Sequence, residues 1–428
     1  MQLAPISFPQ QKKLKSSGVT CSWLPFGVLY KSVSIFFLFF ILSACSKDED
    51  PVKIDPPTKK DLTTTYTAPV NDLLFTNIDK VGGGAASPII MDRLVSMINA
   101  APQNSSLHLC IFGFTHAGVI QALKKASDRG VNLHLMIDMS REETQEENPP
   151  TIAELRSFLK PNSEVVVVTS DAGNSSINHN KFVIFSELKT QDGKAENVIF
   201  QTSHNFTEAD TKKIQEATVL TNKGLYNAYL NYWNDMKAKA ASGMKNFEYR
   251  EFEDLNAGIK AYFFPKRKDG KNYGTDTIID ILNQITEPST ALIRVGMSDW
   301  SAARTNVVNK LETLLDQGAT VEIIAKSSAA PEIQSALENL KRKGAYVKIY
   351  NISLSNQVRI NNHAKFMLIK GKVNGAQTSL VLTGTHNYTG NTVYYNNEVI
   401  LLFKNNVAFF DSFMSYYNEM KKLPGIQR

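Results

Sequence analysis

The stretch Asn178-His-Asn-Lys-Phe-Val-Ile-Phe185 reads as a polar start on a buried strand, and it returns as Asn362-His-Ala-Lys-Phe-Met-Leu-Ile369. Each copy sets a histidine and a lysine two residues apart at the head of an apolar run. Residues i and i+2 of a strand share a face, so each copy projects an imidazole and an ammonium together. The histidines lie 184 positions apart, and so do Lys237 and Lys421, which close two similar aromatic stretches, Tyr232-Trp-Asn-Asp-Met-Lys237 and Tyr416-Tyr-Asn-Glu-Met-Lys421. A repeat of that length is a duplicated half, not a solenoid unit.

The duplication extends to local structure. In the first half residues 107–114 read as a strand, 117–130 as an amphipathic helix and 131–138 as a strand; in the second the same order falls at 291–296, 305–318 and 319–325. Both helices end at a glycine, Gly130 and Gly318, as a left-handed C-terminal cap requires, and Thr115 is the expected N-cap of the first, with His116 at its start. Strand, helix and strand with short connections predict a parallel βαβ unit. Each His-x-Lys strand is then followed by a hairpin turn, Asp192-Gly193 or Asn374-Gly375, and a returning strand. Lone histidines on apolar strands, His108 and His134, read as core residues, as do Trp233 and Tyr417 on the closing helices.

Three chemical elements recur in order, a His-x-Lys pair, an Asn and a Glu. They are His179, Lys181, Asn205 and Glu216 in the first half, and His363, Lys365, Asn387 and Glu398 in the second, with eleven residues from Asn to Glu in both. A pseudo-twofold arrangement would bring two imidazoles, two ammonium groups and two amides around one cleft, and such a set asks for an anion. A phosphodiester fits: lysines and asparagines stabilise the charge of a pentacoordinate phosphorane, one histidine attacks phosphorus, and the other protonates the leaving oxygen. A glutamate on each imidazole would fix its tautomer. Neither a metal nor a cofactor is required.

These residues resemble the phospholipase D superfamily, whose signature is His-x-Lys-x(4)-Asp followed by Gly/Ser-Ser/Thr-x-Asn and a later acidic residue. The resemblance covers residues 70–425 and both copies. It implies an α/β protein made of two fused pseudo-symmetric phospholipase D-like halves, residues 67–255 and 256–428, each a mixed β-sheet flanked by helices. It also implies that His179 and His363 are nucleophile and general acid, that Lys181, Lys365, Asn205 and Asn387 hold the phosphate, that Ser203 and Thr385 shape the substrate site, and that Glu216 and Glu398 support the imidazoles. The chain departs from the signature at its aspartate, which falls at Ser186 and Lys370, and at Thr202, where Gly384 is kept.

The first segment differs in kind. Lys12, Lys13, Lys15 and Lys31 precede the run Val33-Ser-Ile-Phe-Phe-Leu-Phe-Phe-Ile-Leu42, with no acidic residue among them. That apolar length suits a signal peptide, since a spanning helix needs roughly 20 residues. The next residues, Leu42-Ser43-Ala44-Cys45, resemble the lipobox of bacterial lipoproteins, which implies cleavage after residue 44 and lipidation of Cys45. Residues 45–66 then read as a polar tether that carries Pro51, Pro56 and Pro57. Its acidic start resembles a surface-export signal, so the expected place is the outer membrane, with the face that carries the anchor, the cell surface or the inner leaflet, left open by the sequence.

Removing four lysines from 47 basic residues leaves 43 against 41 acidic ones, too near neutrality for a strongly basic nucleic-acid footprint. Three cysteines, of which only Cys110 lies in the body, exclude a disulfide framework. The expected protein is therefore a monomeric, metal-independent phosphodiesterase that acts on phospholipid at a membrane surface. A nuclease of the same superfamily is the alternative substrate reading, and an inactive surface-exposed binding lipoprotein is the alternative class.

Overall fold

Lys181 and Lys365 each open a strand that has hydrogen-bonded neighbours on both sides and a covered face above and below. That is why the runs after them are apolar without alternation. In a computed structural model that describes residues 62–169, 176–240 and 247–427, these strands are the centres of two mixed sheets. The expected signal peptide, Cys45 and the tether up to residue 61 lie outside the described residues. Among the described residues no helix is long and apolar enough to cross a membrane.

The first sheet holds β1 (Asp72–Phe75), β2 (Ser106–Ile111), β3 (Asn132–Asp138), β4 (Glu164–Val168), β5 (Lys181–Thr190), β6 (Gly193–Thr202) and β7 (Glu216–Thr221) in the order β1-β7-β6-β5-β2-β3-β4. The second holds β8 (Arg250–Asp254), β9 (Ile259–Phe263), β12 (Ile285–Met297), β13 (Thr320–Lys326), β14 (Tyr346–Tyr350), β15 (Lys365–Val373), β16 (Ala376–Gly384) and β17 (Val399–Lys404) in the order β14-β13-β12-β15-β16-β17-β9-β8. A small hairpin, β10 (Arg267–Lys268) and β11 (Lys271–Asn272), stands apart. The βαβ units run parallel, β2 with β3 and β12 with β13, while β5 and β15 lie antiparallel to both neighbours. Because β8 pairs with β9, the change of sheet falls before Arg250. A boundary at 255/256 would split that hairpin.

Helices α1 (Ile78–Gly82), α2 (Ile89–Ala100), α3 (Ala117–Arg129), α4 (Glu142–Phe158) and α5 (Lys223–Lys239) belong to the first half; α6 (Thr277–Asn283), α7 (Thr305–Asp316), α8 (Pro331–Arg342), α9 (Asn391–Tyr394) and α10 (Val407–Lys422) belong to the second. Gly130 and Gly318 take the left-handed conformation, with φ of 92° and 97°. The N-cap of α3 is His116, whose ring accepts from Val119 N, rather than Thr115.

Residues 140–150, polar and proline-bearing, look like loop in sequence but enter α4, with Pro149 and Pro150 inside it. Buried Asn148 ties this helix to the strand ends beneath it. Its amide donates to Phe112 O and Asp138 O and accepts from Phe114 N, so it satisfies strand ends that would otherwise be orphaned.

Three apolar clusters organise the body. One lies under α2, α3 and α4 and one under α6, α7 and α8. The third joins the two halves: Phe182, Ile184 and Tyr232 pack in it with Phe263, Phe366, Phe413 and Tyr417. Helix α5 packs on β2, β5 and β6 and also on β8, while α10 packs on β15 and β16 and also on β1. Each closing helix therefore serves both sheets. Trp233 and Tyr417 are buried in this cluster, and His108 and His134 stack 4.3 Å apart beside Trp233.

Candidate active site

The segments before β5 and β15 do not stay within their own halves. His179 N donates to Asn397 O and Asn397 N to Ile177 O, both at 2.9 Å. The mirror pair is His363 N to Ile214 O and Ile214 N to Asn361 O, again at 2.9 Å. Two backbone hydrogen bonds thus dock each histidine segment on the segment that enters the last strand of the opposite half.

This exchange decides which side chain meets which imidazole. His179 Nδ1–H donates to Glu398 Oε2 at 2.9 Å. Glu398 also accepts from Thr385 Oγ1 at 2.7 Å and Asn396 Nδ2 at 3.3 Å, so both carboxylate oxygens are held. His363 Nδ1–H donates to Gln215 Oε1 at 2.8 Å, not to Glu216. The Gln215 amide is oriented in turn by donation to Asp210 O at 2.7 Å, and Asp210 accepts from Asn205 N. The expected imidazole support by Glu216 is therefore corrected: its Oε1 accepts from Lys365 N and Thr383 Oγ1, behind the lysine.

The cause is a one-residue difference in loop length. Thr202 pairs with Ala217 and the matching Gly384 with Ile400, which makes Gln215 the counterpart of Glu398 and Glu216 the counterpart of Val399. The equal Asn-to-Glu spacing in sequence was a coincidence of composition. A slip of one residue at a strand edge turns a different side chain to the site. No signal in the spacing alone marks Gln215; its place before the last strand of the half does.

Lys181 and Lys365 are fully buried, and each Nζ donates to its own histidine's carbonyl at 2.9 Å. Burial pushes Lys181 down to about 8 and lowers Lys365 as well, while it raises Glu216, the carboxyl behind Lys365. Burial also lowers both imidazoles, His179 and His363. Glu398 works against this at His179, whereas at His363 neighbouring lysines lower it further. Asn205 and Asn387 each accept a backbone N–H through Oδ1, from Gly113 at 3.4 Å and Asp299 at 3.3 Å, which fixes the side-chain amide and leaves its N–H donors for a ligand.

Ser203 and Thr385, expected to bind substrate, are buried. Ser203 Oγ reaches Gln215 Oε1 at 3.4 Å and Thr385 Oγ1 serves Glu398, so both hydroxyls act on the imidazole supports. Ser186 and Lys370, at the place of the signature aspartate, stand five residues along their strands from the lysines, roughly 16 Å away at strand rise. Ser186 Oγ accepts from Ser106 N and Lys370 is exposed over the Phe410 ring, so neither reaches the site. His204 and His386, which flank the asparagines, are buried.

A cleft of ≈ 410 Å³ opens on His179 and Asn387, with Arg141 and Asp299 on its walls. A larger cleft, ≈ 640 Å³, lies beside Leu255 and Val407 at the edge of the second sheet and touches none of these residues.

The chain matches the family described as "Cardiolipin synthase, PLD-like domain" over residues 94–237 and 281–421. A search of curated proteins gave no match. Among solved structures, polyphosphate kinase from Porphyromonas gingivalis is similar with a TM-score of 0.49 at 12% identity, over 82% of this chain and 50% of that one, so the chain spans half that protein's length. Phosphatidylserine synthase from Haemophilus influenzae is similar with a TM-score of 0.56 at 12% identity, over 82% of this chain and 88% of that one. Yeast tyrosyl-DNA phosphodiesterase aligns with a TM-score of 0.44 at 12% identity, over 78% and 90%. At such identities the likeness is one of fold. The two matched segments, one in each half and together more than half of the sequence, place the chain in the PLD-like family and so in the phospholipase D superfamily.

Proposed function

We propose that the protein is a metal-independent phosphodiesterase that cleaves phospholipids through a phosphohistidine intermediate. One observation carries this reading: two buried His-Lys pairs, each docked on the other half, with an amide donor beside each. Lys181, Lys365, Asn205 and Asn387 supply the charge and hydrogen bonds that a phosphorane needs without a metal.

The asymmetry of the supports suggests how the work is divided. When an imidazole nitrogen bonds phosphorus, the ring gains positive charge, and a carboxylate on its other nitrogen stabilises that charge as it forms. Glu398 offers this to His179, which we take as the nucleophile. The neutral Gln215 orients His363 without holding a proton on it, which suits a group that gives its proton to the leaving oxygen and then takes one from water.

A phospholipid is the favoured substrate because of the family description, the near-neutral charge without the leader, and the lipobox that would anchor Cys45 at the outer membrane. The test incubates the protein with mixed phospholipids and with single-stranded DNA under chelator, beside His179→Ala and His363→Ala. Cleavage of lipid alone, lost in both variants, supports the reading. Cleavage of DNA alone replaces it with the nuclease, and no cleavage by folded protein replaces it with a binding module.

A further inference from the structure

The two segments that lead into the histidines differ in kind. Before His179 the first half has Ser170-Asp-Ala-Gly-Asn-Ser-Ser176, with no large apolar residue, whereas before His363 the second has Asn351-Ile-Ser-Leu-Ser-Asn-Gln-Val-Arg-Ile360. The second stretch starts where β14 ends. Tyr350 pairs there with Lys326, whose ammonium reaches Asp299 on the wall of the cleft, so the loop stands at the end of the sheet that carries the site.

Buried Asn351 holds this loop from inside. Its Oδ1 accepts from Ser353 N at 3.1 Å and Leu354 N at 2.7 Å, and its Nδ2 reaches the carbonyls of Leu354, Gln357 and Val358 at 2.9, 3.1 and 3.1 Å. Ile360, also buried, closes the turn by donating its N–H to Asn351 O at 2.9 Å, and Ile352 N donates to Ser327 Oγ at 3.0 Å. Backbone groups that depend on water make a loop costly to move into an apolar medium, but these depend on side chains and on each other. What the loop turns outward is apolar: Leu354 is 41% exposed and Val358 58%.

The charges beside this pair point to its occupant. Residues 351–360 hold no carboxylate, and the exposed guanidinium of Arg359 has no hydrogen bond or ion pair among the described residues. An apolar pair beside a free cation suits the interface of a bilayer, where methyl groups enter among the acyl chains and the cation stays with the phosphates. Single-stranded nucleic acid asks for aromatic faces and a run of cations, and the loop has no Phe, Tyr or Trp and one cation. Leu255 and Val407 are exposed as well, but beyond the end of β17 opposite Glu398. Glu253 and Asp254 share that cleft with Lys260 and Lys404, so it offers an anionic surface no net attraction.

We propose that the loop of residues 352–359 is a contact for the phospholipid bilayer, which it enters through Leu354 and Val358 and so turns the active site toward the lipid. Two apolar side chains do not anchor a protein on a membrane, so the loop sets orientation rather than affinity. The inference deepens the phospholipid reading and rests on it for the identity of the substrate.

The test places a tryptophan at one position at a time in the full chain, Leu354→Trp, Val358→Trp, Leu255→Trp and Val407→Trp. Trp233 and Trp300 are buried, and the wild-type emission is subtracted. Thermal melts show that each variant folds. Emission is read with vesicles of phosphatidylcholine and phosphatidylglycerol whose acyl chains are plain or brominated. The expected result is a blue shift on adding vesicles and loss of the added emission to bromine at positions 354 and 358, with neither at 255 or 407. No quenching at 354 and 358, or quenching at 255 and 407 instead, overturns the inference. So does an emission at 358 that single-stranded DNA shifts and vesicles do not, or one already blue-shifted in a dimer without vesicles. Phospholipid cleavage read in the same vesicles separates the two proposals: contact without turnover keeps the loop and removes the enzyme, whereas turnover without contact does the reverse.

Discussion

The hydrogen-bonded supports of the two imidazoles differ, a carboxylate on His179 against a carboxamide on His363 with the Asp210 carboxylate 3.8 Å from the same nitrogen, and that difference predicts opposite pH responses. Glu398→Gln removes the charge that raises His179. The imidazole then titrates lower still, so the acidic limb of kcat/KM moves down in pH while the maximum falls with the lost stabilisation. Gln215→Glu does the reverse at His363: a new carboxylate favours the imidazolium, and the alkaline limb moves up. An opposite charge at hydrogen-bond distance is worth about 1–3 pH units. Rate profiles of both variants check this, and limbs that stay in place would remove the assigned roles.

At the scale of elements, the site depends on strand ends that are tied by side chains rather than by the ladders. Asp138, the last residue of β3, accepts from Asn178 N at 2.8 Å, from Ser140 N and Oγ, and from Thr144 Oγ1. Burial raises its carboxyl to about 6. Asp138→Ala leaves several buried donors unsatisfied, at about 1–3 kcal/mol for each orphaned group. The residue before His179 also loses its anchor. Denaturant melts are expected to show a loss of about 2–4 kcal/mol, and activity should fall further than the change in folded fraction accounts for. By contrast Ser186→Ala and Lys370→Ala, far from the two His-Lys pairs, should leave turnover within about twofold, in line with ordinary surface and strand-end substitutions.

At the scale of the whole molecule, neither half holds a complete site or a complete core. Phe413 of α10 packs on Phe366 of the second sheet and on Phe75 of the first, with ring centroids 5.2 Å and 5.0 Å apart. Phe413→Ala should cost about 3–5 kcal/mol and lower a single transition seen by probes in both halves; two separate transitions would show that the halves fold independently. The anchor is tested at this scale too. Cys45→Ala should move the protein from the membrane fraction to the soluble one and abolish incorporation of labelled fatty acid, whereas an unchanged distribution would remove the lipoprotein reading.

Much of this body was legible in the chain because its signals are local. Apolar runs behind Lys181 and Lys365, glycine stops at Gly130 and Gly318, the Asn374-Gly375 turn and the repeat itself determined two mixed α/β halves, the histidine-lysine pairs and their asparagines. Polarity misled at 140–150, where Asn148 earns a helix by tying strand ends that no sequence window contains. What only the tertiary structure decided is who meets whom. The exchange of segments gives His179 the Glu398 of the other half, and a loop one residue shorter brings Gln215 rather than Glu216 to His363. Sequence fixes periodicity along one chain, whereas the pairing of two distant strand ends depends on register and loop length, and one residue there changes the chemistry of the site.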